Sequence, residues 1–306
     1  MSKKAKMKDD GNYLDDVENE AITKTLEAGK IVREVREEAV KKVKVGESLL
    51  SIAEFVENAI VEKGGMPAFP CNVSINEQAA HATPGVNDSS LFKEGDLVKL
   101  DIGAHIDGYI ADTAVTVDLG DNENLLKAAE EALKKAIEAI EAGVETTYLG
   151  EIIETTILDF NVRPVVNLTG HGLLPYIQHA PPTIYNKKLE RGAKIEEGMV
   201  IAIEPFATNG VGKVGDISKV EIYSLLKMKP LRMPVERKLL KEIEKYKTLP
   251  FARRWIQTEK ADFALKRLVA QKVIKEYPVL AEISGGLVSQ AEHTVIVEEG
   301  GCKQVT

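Results

Sequence analysis

Asp101 and Asp112 stand 11 residues apart in the run DLVKLDIGAHIDGYIADTAVTVD. The run reads as a β-hairpin, with Asp107-Gly108, a dipeptide suited to tight hairpin loops, near its turn. A two-residue loop at Ile106-Asp107 puts Asp101 opposite Asp112. A loop at Asp107-Gly108 shifts the pairing by two and keeps both on one face, whereas a three-residue loop separates them. The neighbours in LVKLDIG and YIADTAVTV are too apolar for a solvated edge. Two carboxylates on one such face repel unless a cation lies between them.

Two further acids share that setting. Glu204 lies in VIAIEPF and Glu292 in SQAEHTVIV, apolar stretches in which a carboxylate must be paired or bind an ion. Of the 5 histidines, His171 sits in TGHG, whose glycines let backbone approach a crowded site. His105 falls in the hairpin turn and is expected to face solvent. His293 follows Glu292 and points away from it on a strand. His81 ends NEQAAH, and His179 lies close enough after His171 to reach the same cleft. Two Asp, one His and two Glu make a hard, oxygen-rich set suited to two bridged divalent cations. Cys71 and Cys302 are not placed for a structural zinc site. Nor can they build a disulfide framework, which fits a reducing cytoplasm.

Helical periodicity runs over 13–43 and 48–63, the second stretch stopping at Gly64-Gly65. An extended piece, Cys71–Ile75, leads to the hairpin. The pattern then recurs: helices over 122–142 and 147–159, an extended VVNL, and a strand in GMVIAIEP. Self-alignment supports this. GESLLSIAEFVENAIV lies on GVETTYLGEIIETTIL at an offset of 97, and EGDLVKLDI on EGMVIAIEP at 103. NEQAAH lies near NLTGH, so His81 meets His171. ADTAVTV lies on AEHTVIV at 180, so Asp112 meets Glu292, as Asp101 meets Glu204. These matches imply two related halves packed face to face with their acids converging. The jump from 103 to 180 places an inserted piece, 209–277, inside the second half's hairpin. Its VERKLLKEIEKYKTLPFARRW and ADFALKRLVAQKVI have helical periodicity, so it reads as a helical subdomain.

Composition narrows the function. The chain has 306 residues, 44% of them hydrophobic and 29% charged, which are globular values. Its 40 basic and 48 acidic residues leave a net charge of −8, a poor basis for binding nucleic acid. No apolar run suits a membrane span, and the N-terminus lacks the apolar core of a secretory signal.

The ordered motifs NEQAAHATPG, KLDIGAHIDGYIADTAVT, TGHG, IAIEPFAT and QAEHTVIV resemble the methionine aminopeptidases, from Tyr13 to near the end of the chain. The long insertion and LPFARRW within it resemble the type II branch in its archaeal form. Gln178 departs from that branch's apolar residue. The resemblance implies an α+β, pseudo-two-fold "pita-bread" (creatinase/aminopeptidase-like) fold. Within it, 1–12 form a charged tail, 13–208 and 278–306 the catalytic domain, and 209–277 the inserted helical subdomain. It implies two divalent ions (Co, Mn, Fe or Zn) held by Asp101, Asp112, His171, Glu204 and Glu292, with Asp112 and Glu292 bridging. A hydroxide between the ions then attacks the peptide, Glu204 shuttles the proton, and His179 stabilises the oxyanion. His81 matches the position that epoxide inhibitors alkylate, so it should be exposed and nucleophilic. Phe69 and Tyr277 match aromatic walls of the methionine pocket. The partners implied are nascent polypeptide N-termini, with ribosome association raised by the substrate class, for a cytoplasmic monomer. Two other readings are weighed against it: the type II insertion and short N-terminal region argue against a related peptidase acting on X-Pro bonds, and the presence of all five ligand positions argues against a non-catalytic binding protein on the same fold.

Overall fold

A computed structural model describes residues 10–306, with side chains from residue 19. Of the tail expected over 1–12, residues 1–9 lie outside the described residues, and Asp10 to Asn12 belong to the first helix, which runs from Asp10 to Val40. Ala28, Ile31, Val32, Val35 and Ala39 lie on its buried stripe, at the spacing of one helix face. The helix Leu49–Glu62 is capped by Ser48, whose hydroxyl accepts the Ser51 N–H at 3.3 Å. It ends before Gly64, which sits at φ +91°, where a side chain would be strained.

These two helices cover one half of a nine-stranded sheet. Its path runs Met66–Pro67, Leu97–Ile106, Tyr109–Asp118, Glu292–Glu298, Val200–Ile203, Thr169–Leu174, Ile177–Tyr185, with Asn72–Ile75 and Gly301–Gln304 on the flanks. Helices Glu123–Glu138 and Thr146–Asp159 cover the other half through a second apolar cluster. Among the described residues no helix is long and apolar enough to cross a membrane.

The repeat seen in the sequence is a repeat of structure. Leu49–Glu62 and Thr146–Asp159 each span 14 residues at the offset that the sequence match required. Backbone hydrogen bonds recur with them. Gly46 N–H donates to Phe92 at 2.9 Å, and its counterpart Gly143 donates to Ile195 at 2.7 Å. Phe92 N–H returns to Glu47 at 3.0 Å, as Ile195 N–H returns to Val144 at 2.8 Å.

The inserted piece is only partly helical. It enters and leaves as strands, Val214–Leu225 and Ile274–Glu282, which pair antiparallel and add Phe251–Ala252 and Gln78–Ala80 to form a second sheet. The helices Pro234–Ile243 and Ala261–Ala270 close its far end around a separate apolar cluster. Alternation in DISKVEIYSL is masked by the stronger helical periodicity that follows it. The sheet matters because Tyr277 sits on its strand Ile274–Glu282.

Candidate metal centre

The hairpin turn is made by Asp107 and Gly108, with φ of 50° and 95°, the signs a tight hairpin loop demands. The register follows: Asp101 pairs with Ala114, and Asp112 with Gly103. Both acids therefore face the same side, two positions out of direct opposition. Glu292 lies on the neighbouring strand, where it pairs with Ala114. Glu204 follows the end of Val200–Ile203. His171 sits in the middle of Thr169–Leu174 and pairs with Ala202. The TGHG glycines are required by close approach: a Cβ at Gly170 would come within 2.4 Å of the Ala202 carbonyl, and one at Gly172 within 2.1 Å of the Pro181 carbonyl.

The five side chains meet in one place. His171 Nε2 lies 3.4 Å from Glu204 Oε1 and 3.9 Å from Asp112 Oδ2. One ligand atom each from Asp112, His171 and Glu292 lie within 4.8 Å of one another, all buried. Burial pushes the Asp101 carboxyl up to about 7, against the pull of Gln290 and Asn72. Burial, then repulsion from the other acids, raises Asp112, Glu204 and Glu292 well above the carboxylate range. Burial also lowers the His171 imidazole to about 4, which leaves it neutral and able to donate a lone pair. Asp101 Oδ1 and Asp112 Oδ1 are buried with no hydrogen-bond partner. Four crowded carboxylates, two orphaned oxygens and a neutral imidazole fit divalent cations and are costly without them.

A cavity of about 210 Å³ opens over these groups. His81, His179, Phe69 and Tyr277 line it, as the sequence reading expected. The His179 ring stands 4.6 Å from that of His171, edge to face, and borders the open space. His81 is half-buried rather than exposed, because its Nδ1 lies 3.2 Å from the Pro278 carbonyl and its ring rests edge-on against Tyr277. That bond fixes the proton on Nδ1 and leaves Nε2 as the lone-pair nitrogen. Burial lowers its pKa. Phe69 packs so tightly over Gly103 that a Cβ there would lie 2.1 Å from the ring. The Tyr277 hydroxyl is 3.1 Å from Ser224 Oγ.

The other two histidines stay out of the cavity. His293 does point away from Glu292, toward Arg36 and Thr306. His105 is half-buried rather than solvent-facing. It accepts the Gly108 N–H at 3.1 Å, rests on Tyr176, and burial lowers its pKa to about 4.

Two supporting groups, Asn72 and Gln290, escaped the sequence reading, which noted Gln178 only as a departure from the type II pattern. Asn72 donates to Asp101 Oδ2 at 3.3 Å. Gln290 is buried beside Asp101 and Glu204, and neither atom of its amide has a partner. It precedes Glu292 by two residues, the one local signal that could have revealed it. Gln178 Nε2 approaches Asp112 Oδ2 at 3.5 Å.

The third escaped feature is a buried link from the insertion. Arg254 is ion-paired with Glu57 and donates to Thr83 Oγ1 at 2.8 Å and Pro84 O at 3.0 Å. Trp255 Nε1 donates to the other Glu57 oxygen at 2.8 Å, and Cys71 N–H to Glu57 Oε1 at 3.0 Å. The link therefore grips Cys71, between Phe69 and Asn72, and Thr83, just after His81.

Comparison with known proteins adds to this geometry. The model of metallopeptidase family M24 matches residues 23–299. The chain belongs to that family. A methionine aminopeptidase of Archaeoglobus fulgidus is 57% identical over 291 residues, 95% of this chain and 100% of that protein. One from Saccharolobus solfataricus is 40% identical over 289 residues, 90% of this chain and 95% of that protein. Among solved structures, a methionine aminopeptidase of Thermotoga maritima is 23% identical, with a TM-score of 0.71 over 94% of this chain and 96% of that one. That likeness concerns the fold. M24 membership and the repeated halves agree on the α+β pita-bread arrangement.

Proposed function

We propose that this M24 peptidase removes the initiator methionine from nascent proteins and peptides whose second residue is small. The observation that carries the reading is the meeting of Asp101, Asp112, His171, Glu204 and Glu292 beneath a cavity walled by Phe69 and Tyr277. Relatives that match nearly the whole chain and are named methionine aminopeptidases support it.

Asp101, Asp112, His171, Glu204 and Glu292 would hold two divalent ions, drawn from Co, Mn, Fe or Zn. Such ions polarise a carbonyl and bring the pKa of a bound water near 7. The chain's own residues do the rest. Glu204 holds a proton and returns it to the leaving amine, a role worth roughly 100-fold or more. His179 donates a hydrogen bond to the substrate backbone, where negative charge develops. His81, with Nδ1 tied to Pro278, presents Nε2 to the cavity. Phe69 and Tyr277 flank the thioether, and sulfur–aromatic contacts of this kind add up to about 1.5 kcal/mol. Asn72 orients Asp101 through its hydrogen bond to Oδ2. The protein acts as a cytoplasmic monomer on emerging N-termini, at or near the ribosome. Its catalytic domain is 13–208 with 278–306, and the inserted unit is 209–277.

A peptide panel varying the first two residues tests this. Cleavage should follow Met when Gly, Ala, Ser, Thr, Val or Pro comes second, and should drop when Leu, Lys or Phe does. N-acetylated peptides should resist. Efficient removal of Leu or Lys from the first position would make the chain a general aminopeptidase. A strict requirement for Pro in second place would make it an X-Pro enzyme.

A further inference from the structure

The cavity is electrically lopsided. Asp112, His171 and Glu292 lie buried at its floor. At its mouth stands Lys275, exposed, and no other Lys or Arg lines the cavity among the described residues. Lys275 forms no salt bridge among those residues, where the paired cations of the insertion are Lys219, Arg253, Arg254 and Arg267. It lies two residues before Tyr277 on the strand Ile274–Glu282, so both side chains leave the same face. Its Nζ rests 4.3 Å from the centre of the Tyr277 ring, and that ring lies 5.3 Å from His81. The ammonium, the phenol and the imidazole thus form one row leading out of the site. Glu276 between them faces the other way, and the pairing of Lys275 with Ser224 holds the row in register.

A peptide entering amine-first is also lopsided. Its positive end belongs with the acidic floor. Each extended residue beyond the scissile bond advances about 3.3 Å. Two or three residues therefore carry the chain from His81 to the ammonium. We propose that Lys275 is a specificity residue that binds a carboxylate of the substrate at its third or fourth position. The carboxylate is either an Asp or Glu side chain or the free C-terminus of a short peptide. This inference rests on the aminopeptidase reading and adds a preference that the reading does not contain.

The test uses the full-length, metal-loaded protein and amidated Met-Ala-Gly-Gly peptides carrying Asp, Asn or Lys in third or fourth place. Free-acid Met-Ala-Gly is compared with its amide. Wild-type kcat/KM should favour Asp over Asn by about two- to fivefold at one of the two positions, or free acid over amide by a similar factor. The arm that responds, side chain or free acid, identifies the source of the carboxylate. Added salt should shrink the ratio, because the contact is solvent-exposed. Lys275→Gln should bring the ratio to one, and Lys275→Glu should invert it in favour of Lys. Equal wild-type rates for Asp, Asn and Lys together with equal rates for acid and amide would overturn the proposal. So would an Asp preference that survives Lys275→Gln. Failure of wild-type protein to cleave even the Asn peptides would instead overturn the aminopeptidase reading, so the two failures are distinct.

Discussion

Glu57 and Glu154 occupy equivalent positions on equivalent helices in the two halves, yet they do different work. Glu57 is buried and holds Arg254, Trp255 and the Cys71 backbone. Glu154 is half-buried near the surface and, among the described residues, accepts only the Lys188 N–H, at 2.9 Å. The first half's hairpin closes on two residues, while the second half's opens to admit the insertion. That insertion folds back across the molecule and is fastened to the first half. The scaffold is therefore symmetric and the substrate cavity is not. The repeat places the acids in pairs. Tyr277 and Lys275 come from the asymmetric part, and Arg254 ties that part to the backbone carrying Phe69 and His81.

The largest effect should come from breaking the acid pairing between halves. Glu204→Gln should lower turnover of Met-Ala-Ser by at least about 100-fold with little change in folding, since general acid–base assistance is of that size. Near-normal turnover would remove Glu204 from catalysis and leave it a ligand at most.

The contrast between the two glutamates comes next. Arg254→Met leaves Glu57 as an uncompensated buried charge and should destabilise the protein by about 3–5 kcal/mol. Glu154→Gln should cost less than about 0.5 kcal/mol, as surface changes do. Urea midpoints for both variants measure the difference. Equal losses would mean that the insertion is not fastened through Glu57.

A smaller, pH-dependent effect belongs to the base of the insertion. Glu282 accepts hydrogen bonds from Val211 N–H at 2.7 Å, Ser284 N–H at 2.7 Å and Gly286 N–H at 3.0 Å, joining the ends where the insertion leaves and returns. Burial opposes its charge, but these donors together hold its pKa down to about 2. A carboxyl whose folded pKa lies below its unfolded value of about 4.3 stabilises the protein above that value. The contribution is lost as pH falls toward 2. The stability gap between wild type and Glu282→Gln should be constant above pH 5 and close on acidification. A gap that persists at pH 2 would contradict the assignment.

Much of this was readable in the sequence because it depends on local order. The helix stop at Gly64, the Asp107-Gly108 turn and the same-face placement of Asp101 and Asp112 each follow from a few neighbouring residues. Self-alignment added the long-range pairing of acids, since a repeated fold repeats its pattern. What stayed hidden depends on partners far along the chain. Nothing near Glu57 announces Arg254, and nothing near Asn72 announces Asp101. His105 looked exposed because a turn residue usually is, and Tyr176 covers it from a distant loop.

The central claim is that the acids and His171 act through divalent metal at a methionine-removing site. Its most direct test is the rate of Met release from Met-Ala-Ser by chelator-stripped protein while Mn or Co is added back. Release should be absent from the stripped protein and return saturably with metal, and Asp112→Asn should fail to recover at the same metal concentrations. Release that continues at full rate after stripping, with no detectable bound metal, would contradict the account.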